Sequence, residues 1–385
     1  MELGIDVLIR NNFAPLRNKQ VALLTNISAT DKNLRPTLYH FISSQNFKLK
    51  LILAPEHGLF CALQDQVYVA NARNKRIPVQ SMYGKNLRPP KSALKEVDIA
   101  VIDLIDIGTR YYTFVWSAVL LLKTLAELKK KAIILDRPNP LNGITTQGPV
   151  LERDFVSFVG FFPLPVRHGL TIGEICRMIN QMENVNADLE IIKMRNWRRK
   201  FYFPDCGLKW TIPSPNMPSF ETALVYPGMC LLEGTNISEG RGTTRPFEIF
   251  GAPWIDEEEL VQELRRINLK GVEFRPLKFI PTFHKYQGLT CGGVQLYVKD
   301  LWNFDPVLTG LEIIAAIKRL YPKKFKWRRP PYEFEKKKMP FDMLIGNAWI
   351  REGLEQGVDV RLLAARWEDA LRAYQKTVRG YWLYD

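Results

Sequence analysis

An α/β fold with a parallel sheet is predicted by three features of this chain. Short apolar runs alternate with helix candidates, and such runs are typical of strands that are buried on both faces. Strand and helix in alternation favour a parallel sheet that is covered by helices on both sides. The length of 385 residues exceeds what one hydrophobic core usually supports, which predicts an N-terminal domain over residues 1–250 and a smaller α/β domain over residues 251–385.

The predicted elements follow one another in a regular order. In the N-terminal part, apolar runs that end in polar residues predict strands at 21–26, 49–54, 99–104 and 132–135, with helices at 34–43 and 115–130. Thr171 and Glu174 form a capping-box pattern, which predicts the start of an amphipathic helix that ends at Met182. After Trp254 the pattern predicts helices at 257–267, 306–320 and 360–374, a strand that begins at 271–276, and an alternating strand at 291–298. The basic, proline-rich stretch 323–331 is interpreted as a surface connection.

The composition excludes several classes of protein. Lys and Arg outnumber Asp and Glu by 54 to 40, and the net charge of +14 indicates either an acidic partner or a solvated basic surface. No arginine–aromatic stripe joins the scattered lysines, so we expect no nucleic-acid partner. No apolar run of 18 residues occurs, so we expect no membrane span. As written, the chain has no signal peptide and is expected to be cytoplasmic; an exported chain trimmed of its signal would look the same.

No cofactor or metal site is predicted. The first strand is not followed by the GxGxxG pattern of dinucleotide sites, and no GxxxxGK[ST] loop occurs anywhere. The five cysteines contain no CxxC pair, which indicates reduced and mostly buried thiols. The four histidines show no HExxH spacing, so we expect no catalytic metal.

Polar side chains follow four of the predicted strands at the point where each strand ends. In open α/β sheets ligands bind beyond the carboxyl ends of the strands, so these side chains predict one shared cleft. The residues concerned are Asn26, Glu56, His57, Asp106, Arg110, Asp136 and Asn139.

Glu56 is the strongest candidate for acid–base chemistry. Pro55 restricts the backbone before it, and Gly58 allows close approach after it. A carboxylic acid held in such a place is able to donate a proton to a leaving group. The structural alternative is that Glu56 caps the following segment or pairs with Arg110.

The segment 231–248 is a long polar interruption of an otherwise apolar pattern. It contains three carboxylates, two arginines and three glycines, and no apolar face can be drawn through it. Polar segments of this length are usually exposed loops, but alternating charges and glycines let the chain crowd around a small ligand. We interpret the segment as the floor of a binding site for a polar, anionic ligand.

Three further features point towards the same cleft. His168 either faces the cleft or bonds to the turn that begins its own helix. Trp210 precedes a rigid proline-rich loop, 213–218, that contains Asn216. A structural role is the leading interpretation of this loop, and the alternative is that Asn216 or Trp210 contacts a sugar ring. The loop 281–288 precedes a strand of the second domain and is placed to close over the cleft.

Motifs along nearly the whole chain resemble the DUF1343 family, which is associated with exo-acting β-N-acetylmuramidases of the NamZ type. The motifs that carry the resemblance are Ala54-Pro55-Glu56-His57-Gly58, the stretch from Asp106 to Tyr112, Asp136-Arg137-Pro138-Asn139-Pro140, Gly148-Pro149, Arg167-His168-Gly169, the stretch from Pro213 to Pro218, Tyr226-Pro227-Gly228, the segment from Glu233 to Glu248, Lys285-Tyr286-Gln287-Gly288 and Cys291-Gly292-Gly293. The resemblance implies a Rossmann-like N-terminal domain, a smaller C-terminal domain and an active-site cleft between them.

The resemblance also implies a peptidoglycan-derived substrate, from whose non-reducing end N-acetylmuramic acid is released. Glycoside hydrolysis usually needs two carboxyl groups, for which we expect Glu56 as the acid and, in order of preference, Glu239, Glu233 or Asp106 as its partner. The lactyl carboxylate of muramic acid favours an arginine fork, and Arg110, Arg241 and Arg245 are candidates. The full set of expected substrate contacts is Asn26, His57, Arg110, Tyr111, Asp136, Asn139, His168, Asn216, Asn236, Arg241, Thr243, Arg245 and Tyr286.

Departures from the family pattern leave two other functions open. Phe60-Cys61-Ala62 stands where Arg-Gly is usual, Gln147 replaces an acidic residue, and Ile105 stands where glutamine is frequent. The alternatives are a glycosidase of different sugar specificity and a non-catalytic binder of muropeptides or other anionic glycans.

Overall fold

A parallel sheet lies at the centre of the N-terminal part of the computed structural model, which describes residues 1–64, 67, 69–74, 77–84 and 86–385. Within these residues the strands are β1 (Gln20–Thr25), β2 (Lys48–Ala54), β3 (Ala72–Asn74), β4 (Ile77–Ser81), β5 (Ile99–Asp103), β6 (Lys131–Leu135), β7 (Gln147–Val150), β8 (Pro165–Arg167), β9 (Leu189–Ile192), β10 (Ile249–Ala252), β11 (Val272–Phe279) and β12 (Cys291–Val298). In the described residues the main sheet has the order β3-β4-β2-β1-β5-β6-β9, in which β3 is antiparallel to β4 and the other six strands are parallel.

Helices cover both faces of this sheet. Those in the described residues are α1 (Gly4–Arg10), α2 (Thr37–Ser43), α3 (Phe114–Glu127), α4 (Ile172–Met182), α5 (Phe220–Met229), α6 (Glu257–Ile267), α7 (Pro306–Leu320), α8 (Pro340–Ile345), α9 (Trp349–Glu355), α10 (Val360–Ala365) and α11 (Glu368–Val378). Successive strand residues point to opposite faces, so Ala22 and Leu24 join one hydrophobic cluster while Val21 and Leu23 join another. The first cluster includes α3 and α4, and the second includes α1 and α2.

The C-terminal part, defined here as residues 220–385 from α5 onward, adds a small mixed region. Its antiparallel sheet has the order β10-β12-β11. In the N-terminal part, β7 and β8 pair in a separate two-stranded sheet. Apolar side chains of α5, α7, α8 and α11 belong to the same hydrophobic cluster as the α3 face of the main sheet. The two parts of the chain therefore share one continuous core.

The α/β fold class predicted from the sequence is confirmed, and most predicted elements lie within a few residues of their observed bounds. The capping box at Thr171 is present, because its hydroxyl accepts from the Glu174 amide while the Glu174 carboxylate accepts from the Thr171 amide. The single closing helix predicted at 360–374 is wrong, since α10 and α11 are separate. The amide of Trp367 donates to the Ala364 carbonyl in a tighter turn, and the indole is buried where the helices meet.

The stretch 323–331, which was expected to be a surface connection, packs in part against the polar segment. Phe325 is buried, and Trp327 forms a β-bridge with Thr235 while its ring lies against Phe341. No helix in the described part of the chain is both long and apolar enough to cross a membrane.

Candidate active site

A cavity of about 510 Å³ opens beyond the carboxyl end of β2, where residues from both parts of the chain meet. We call it the Glu56 cavity, and it is lined by Glu56, His57, Tyr111, Tyr112, Thr113, Val159, Ser214, Asn216, Met217, Tyr226, Cys230, Glu233, Arg241, Phe247, Tyr332, Glu333 and Leu344.

Glu56 is presented to the cavity by a tight turn at the end of β2. The Gly58 amide donates to the Pro55 carbonyl at 3.1 Å, and both His57 and Gly58 adopt positive φ angles of 66° and 76°. Nδ1 of His57 donates to the Leu63 carbonyl at 2.7 Å, which fixes the imidazole beside the turn. The Thr113 hydroxyl, just before α3, donates to Glu56 Oε2 at 2.6 Å. The carboxyl group is thus buried and oriented by a neutral donor.

Glu233 enters the same cavity from the C-terminal part. It lies in a 3₁₀ segment, Cys230–Gly234, that continues directly from α5. Nη2 of Arg241 donates to Glu233 Oε1 at 2.7 Å, and the Tyr332 hydroxyl donates to Glu233 Oε2 at 2.8 Å. Both oxygens are therefore held, one by a guanidinium and one by a phenol.

A third carboxylate, that of Glu333, is linked to the N-terminal part by Tyr83. The Tyr83 hydroxyl donates to Glu333 Oε2 at 3.0 Å. Burial raises the pKa of Tyr83 far above its usual range, and the neighbouring Glu56 and Glu333 carboxylates raise it further. Tyr83 therefore remains a neutral donor that stands beside two of the three acids.

Other hydroxyl and thiol groups around the cavity are also kept protonated. Burial raises the pKa of Tyr226 and Tyr332 well above the usual value, and negative charge at Glu233 adds to the effect for both. Burial likewise raises the pKa of the Cys230 thiol, with Glu233 as the next cause. These groups are hydrogen-bond donors at neutral pH, and Cys230 is not a thiolate nucleophile.

Glu239, which was the preferred partner of Glu56, lies behind the cavity in an ion cluster. Its Oε2 is 2.8 Å from Lys285 Nζ, and its Oε1 is 3.1 Å from His284 Nδ1 and 3.2 Å from Arg241 Nε. Burial acts to raise the pKa of Glu239, but Lys285, His284 and Arg241 together hold it well below its usual range. Glu233 rather than Glu239 lines the cavity with Glu56.

Asp106, the third candidate partner, borders a different cavity. Its Oδ2 accepts from the Gly108 amide at 2.9 Å and lies 3.3 Å from His168 Nε2. Nδ1 of His168 accepts from the Leu170 amide at 3.1 Å, so this histidine bonds to its own turn while its Nε2 faces Asp106. Asn26 is also buried near the strand ends, where its Oδ1 accepts from the Ser28 hydroxyl at 2.6 Å.

Several side chains that were predicted to contact the substrate instead form hydrogen bonds to main-chain groups of the protein. The Arg110 guanidinium is fully buried and donates to the carbonyls of Pro149, Leu164 and Leu344, so it neither pairs with Glu56 nor lines the cavity. Asn139 donates to the Leu170 carbonyl and accepts from the Leu141 amide.

Asp136 anchors the start of α4. It accepts from the Thr171 hydroxyl at 2.7 Å, the Gly173 amide at 3.0 Å and the Tyr384 hydroxyl at 2.6 Å. Burial raises the pKa of Asp136 to about 6.

The remaining candidates in the polar segment and its neighbours form local contacts. Asn236 bonds to main-chain groups of Lys324 and Lys326, and Tyr286 donates to the Asn236 carbonyl. Thr243 donates to the Gly240 carbonyl, and the half-exposed Arg245 pairs with Glu248 at 3.1 Å. None of these four lines the described Glu56 cavity.

The structure therefore brings together His57, Tyr111, Asn216, Glu233 and Arg241 around Glu56. The Asn216 amide donates to Gln64 at 2.6 Å, and the Tyr111 hydroxyl donates to the Pro227 carbonyl.

The sequence analysis did not identify Tyr83, Thr113, Tyr226, Tyr332 and Glu333 as site residues. A Tyr-Glu-Phe-Glu run directly after the proline-rich stretch was the available signal for the last two. Among the described residues, no group of three or more His, Cys, Asp or Glu side chains is placed to hold a metal ion.

Comparisons with known proteins agree with this architecture. The family model described as exo-β-N-acetylmuramidase NamZ, N-terminal, matches residues 21–221, and its C-terminal counterpart matches residues 224–384. The peptidoglycan β-N-acetylmuramidase NamZ of Bacillus subtilis (strain 168) is 40% identical over 386 residues, which cover 100% of this chain and 91% of that protein.

Two crystal structures of DUF1343 family proteins from Bacteroides fragilis NCTC 9343 are similar throughout. One has a TM-score of 0.90 at 31% identity and the other a TM-score of 0.76 at 27% identity, each covering 100% of this chain and 99% of the other. With both family models matched and a full-length relative at 40% identity, this chain belongs to the NamZ exo-β-N-acetylmuramidase family, also known as DUF1343.

Proposed function

We propose that this chain is a glycosidase that releases N-acetylmuramic acid from the non-reducing end of peptidoglycan fragments, and that the reaction takes place in the Glu56 cavity. Family membership supports the reaction class, and the named relative of Bacillus subtilis is a peptidoglycan β-N-acetylmuramidase. The observation that carries the proposal is that Glu56 and Glu233, from different parts of the chain, line one cavity. Most glycoside hydrolases use such a pair of carboxyl groups on either side of the bond that is cleaved.

We base the proposed roles of the two glutamates on their surroundings. Glu56 accepts from the Thr113 hydroxyl, and a carboxyl group with a neutral partner suits a proton donor to the leaving oxygen. Glu233 is held by Arg241 and Tyr332, and a carboxylate paired with a guanidinium suits the base, the nucleophile or the stabiliser of positive charge on the sugar. This assignment replaces Glu239 and Asp106 with Glu233.

The rest of the lining suits a polar sugar with an acidic substituent. Ser214 and Asn216 offer short polar groups to ring hydroxyls, and Tyr226 offers an aromatic face. Of the three arginines predicted to bind the lactyl carboxylate, Arg241 is the one that lines the described cavity. We assign the substrate carboxylate to Arg241.

Chromogenic glycosides test the reaction and its specificity. The para-nitrophenyl β-glycoside of N-acetylmuramic acid should release its chromophore, whereas the N-acetylglucosamine analogue, which lacks the lactyl group, should not. Turnover of the glucosamine analogue alone would replace this function with a different glycosidase. Binding of N-acetylmuramic acid without turnover of either compound would indicate a glycan-binding protein.

The Glu56→Gln variant tests the acid role. On a disaccharide of N-acetylmuramic acid and N-acetylglucosamine, whose leaving oxygen must receive a proton, we expect kcat to fall at least about 100-fold, because removing a general acid typically costs 10²–10⁴-fold, while affinity for N-acetylmuramic acid is largely retained. The matched control is Glu312→Gln, which changes a buried glutamate of α7 that does not line the Glu56 cavity. Turnover of Glu56→Gln at the rate of the control would remove Glu56 from the mechanism.

A further inference from the structure

A second cavity, of about 500 Å³, lies where the strand order of the main sheet reverses. The chain runs from β1 outward to β2 and β4 on one side, and from β5 outward to β6 and β9 on the other. Open α/β sheets bind ligands in the crevice beyond the carboxyl ends of the strands at such a point. This cavity, here named the switch-point cavity, is bordered by residues that follow β1, β5 and β6, including Thr30, Asp106 and Arg137.

The switch-point cavity is separate from the Glu56 cavity but adjacent to it. The two linings have no residue in common among the described residues. Trp210 lines the switch-point cavity, and its Nε1 donates at 3.0 Å to the carbonyl of Met217, which lines the Glu56 cavity. The wall between the cavities is therefore formed by the loop that carries these two residues.

The lining combines three kinds of group that suit an acidic sugar. The indole of Trp210, braced edge-on by Phe203 at 5.0 Å between ring centroids, provides an aromatic platform. Asp106 is 3% exposed, and its Oδ1 has no hydrogen-bond partner in the described part of the chain. A buried carboxylate oxygen without a partner favours a hydroxyl donor from a ligand.

Two exposed lysines supply the third group. Lys32 and Lys209 border the cavity, and neither ammonium has an ion-pair partner among the residues that the structure describes. The guanidinium of Arg137, in contrast, is already paired with the Asp103 carboxylate. The two free ammonium groups favour a ligand that carries a carboxylate.

We propose that the switch-point cavity is a second saccharide-binding site, which takes an acidic sugar residue of the glycan beyond the sugar that is cleaved. The proposal rests on the proposed function, because that function makes the substrate a chain in which sugars bearing a lactyl carboxylate alternate with neutral ones. The aromatic platform contacts the ring, Asp106 accepts from a ring hydroxyl, and the lysines attract the carboxylate. Long substrates are thereby bound more tightly than short ones.

The experiment compares two substrates in variants of the full chain. One is the para-nitrophenyl glycoside of N-acetylmuramic acid, and the other is a peptide-free trisaccharide of N-acetylmuramic acid, N-acetylglucosamine and N-acetylmuramic acid. The double variant Lys32→Glu/Lys209→Glu should raise KM for the trisaccharide about tenfold and leave the glycoside unchanged. The control Lys48→Glu/Lys95→Glu makes the same charge change at the amino ends of the strands, away from the switch-point cavity. It should leave KM unchanged for both substrates.

Variants of the platform give a second, uncharged test. Trp210→Leu should raise KM for the trisaccharide, and Trp210→Phe should recover most of the loss because it keeps an aromatic face. An unchanged trisaccharide KM in both the double-lysine variant and Trp210→Leu would overturn the proposal.

Calorimetry distinguishes failure of the proposed function from failure of the second saccharide-binding site. If the wild-type protein cleaves neither substrate, titration with the trisaccharide still tests the site: binding that is at least fivefold weaker in the double-lysine variant supports it, and equal binding overturns it. Binding of a free stem peptide that depends on Lys32 and Lys209, without binding of the peptide-free trisaccharide, would also overturn the saccharide assignment.

Discussion

The Arg241 guanidinium connects the two acidic clusters of the C-terminal part. It bonds to Glu233 at the cavity through Nη2 and faces Glu239 behind it through Nε. Glu239 in turn is held by Lys285, whose ammonium also donates to the carbonyls of Leu232 and Ile237. The position of Glu233 in the cavity therefore depends on charges that do not touch it.

Replacing Arg241 by Met should destabilise the protein by about 3–5 kcal/mol, since breaking a buried ion pair leaves uncompensated charge. Urea unfolding measures this loss, and turnover should fall with it because Glu233 loses its main partner. The control is Arg245→Met, whose half-exposed pair with Glu248 should contribute at most about 1 kcal/mol. Equal losses of stability in the two variants would show that the Arg241 network does not stabilise the fold.

The sequence reveals a cavity residue when local backbone geometry places it there, but not when a distant segment of the chain brings it in. Glu56 is predictable because a proline, an acid and a glycine follow a buried strand, and local backbone geometry alone puts its carboxyl at the sheet edge. Tyr332 reaches Glu233 from 99 positions further along the chain, and no local pattern encodes that contact. Arg110 shows the converse error: it follows a strand as expected, but three main-chain carbonyls take its donors.

At the scale of elements, strands were easier to predict than the helix that carries Glu233 into the cavity. Buried parallel strands are continuous apolar runs, so β1, β2, β5 and β6 stand out. Helix α5 contains Pro227 and Gly228, which in sequence predict a break. The structure explains the glycine, because a Cβ at Gly228 would lie 1.7 Å from the Pro306 carbonyl oxygen, at the start of α7.

The Gly228→Ala substitution should therefore force α5 away from α7. Overpacking of this kind typically costs about 1–3 kcal/mol, and a main-chain clash lies at the upper end. Activity should fall as well, since Tyr226 and Cys230 line the Glu56 cavity on either side of Gly228. Gly380→Ala is the matched control, because a Cβ there meets nothing within 4 Å. Urea midpoints and turnover of the two variants should differ clearly; identical values would contradict the close packing of α5 on α7.

The anchoring of α4 by Asp136 predicts a specific pH dependence. Burial raises the pKa of Asp136 from 3.8 to about 6, so the folded state binds more protons than the unfolded state between these values. The contribution of this group to stability is fully present below pH 3.8 and is lost as pH rises through 6.

The Asp136→Asn substitution removes this dependence of the free energy of unfolding on pH. Relative to wild type, the variant should gain about 3 kcal/mol of stability as the pH rises from well below 3.8 to well above 6, following 1.36 kcal/mol per unit of pKa. Unfolding by urea across that range measures the difference, and the control is Asp188→Asn, at an exposed residue just before β9. A difference between Asp136→Asn and wild type that stays constant with pH would contradict the raised pKa.

At the scale of the whole molecule, the cavity and the core both depend on the two parts of the chain. Glu56 and Thr113 come from the N-terminal part, and Glu233 and Tyr332 come from the C-terminal part. One hydrophobic cluster runs from β1 to α11 without interruption. The domain boundary at residue 250 remains a prediction from the sequence, and a shared core implies that the two parts unfold together.

The Ile314→Ala variant tests that implication. Ile314 is fully buried in α7, and its truncation should cost about 2–5 kcal/mol. If the chain unfolds as one cooperative unit, hydrogen exchange of the most protected amides should accelerate by the same factor in β5 of the main sheet and in β12 of the small sheet. Leu362→Ala, at a side chain that is 65% exposed, is the control and should leave both strands unchanged. Acceleration in β12 alone would show that the C-terminal part opens independently, and the Glu56 cavity would then lose Glu233 and Tyr332 each time that part opened.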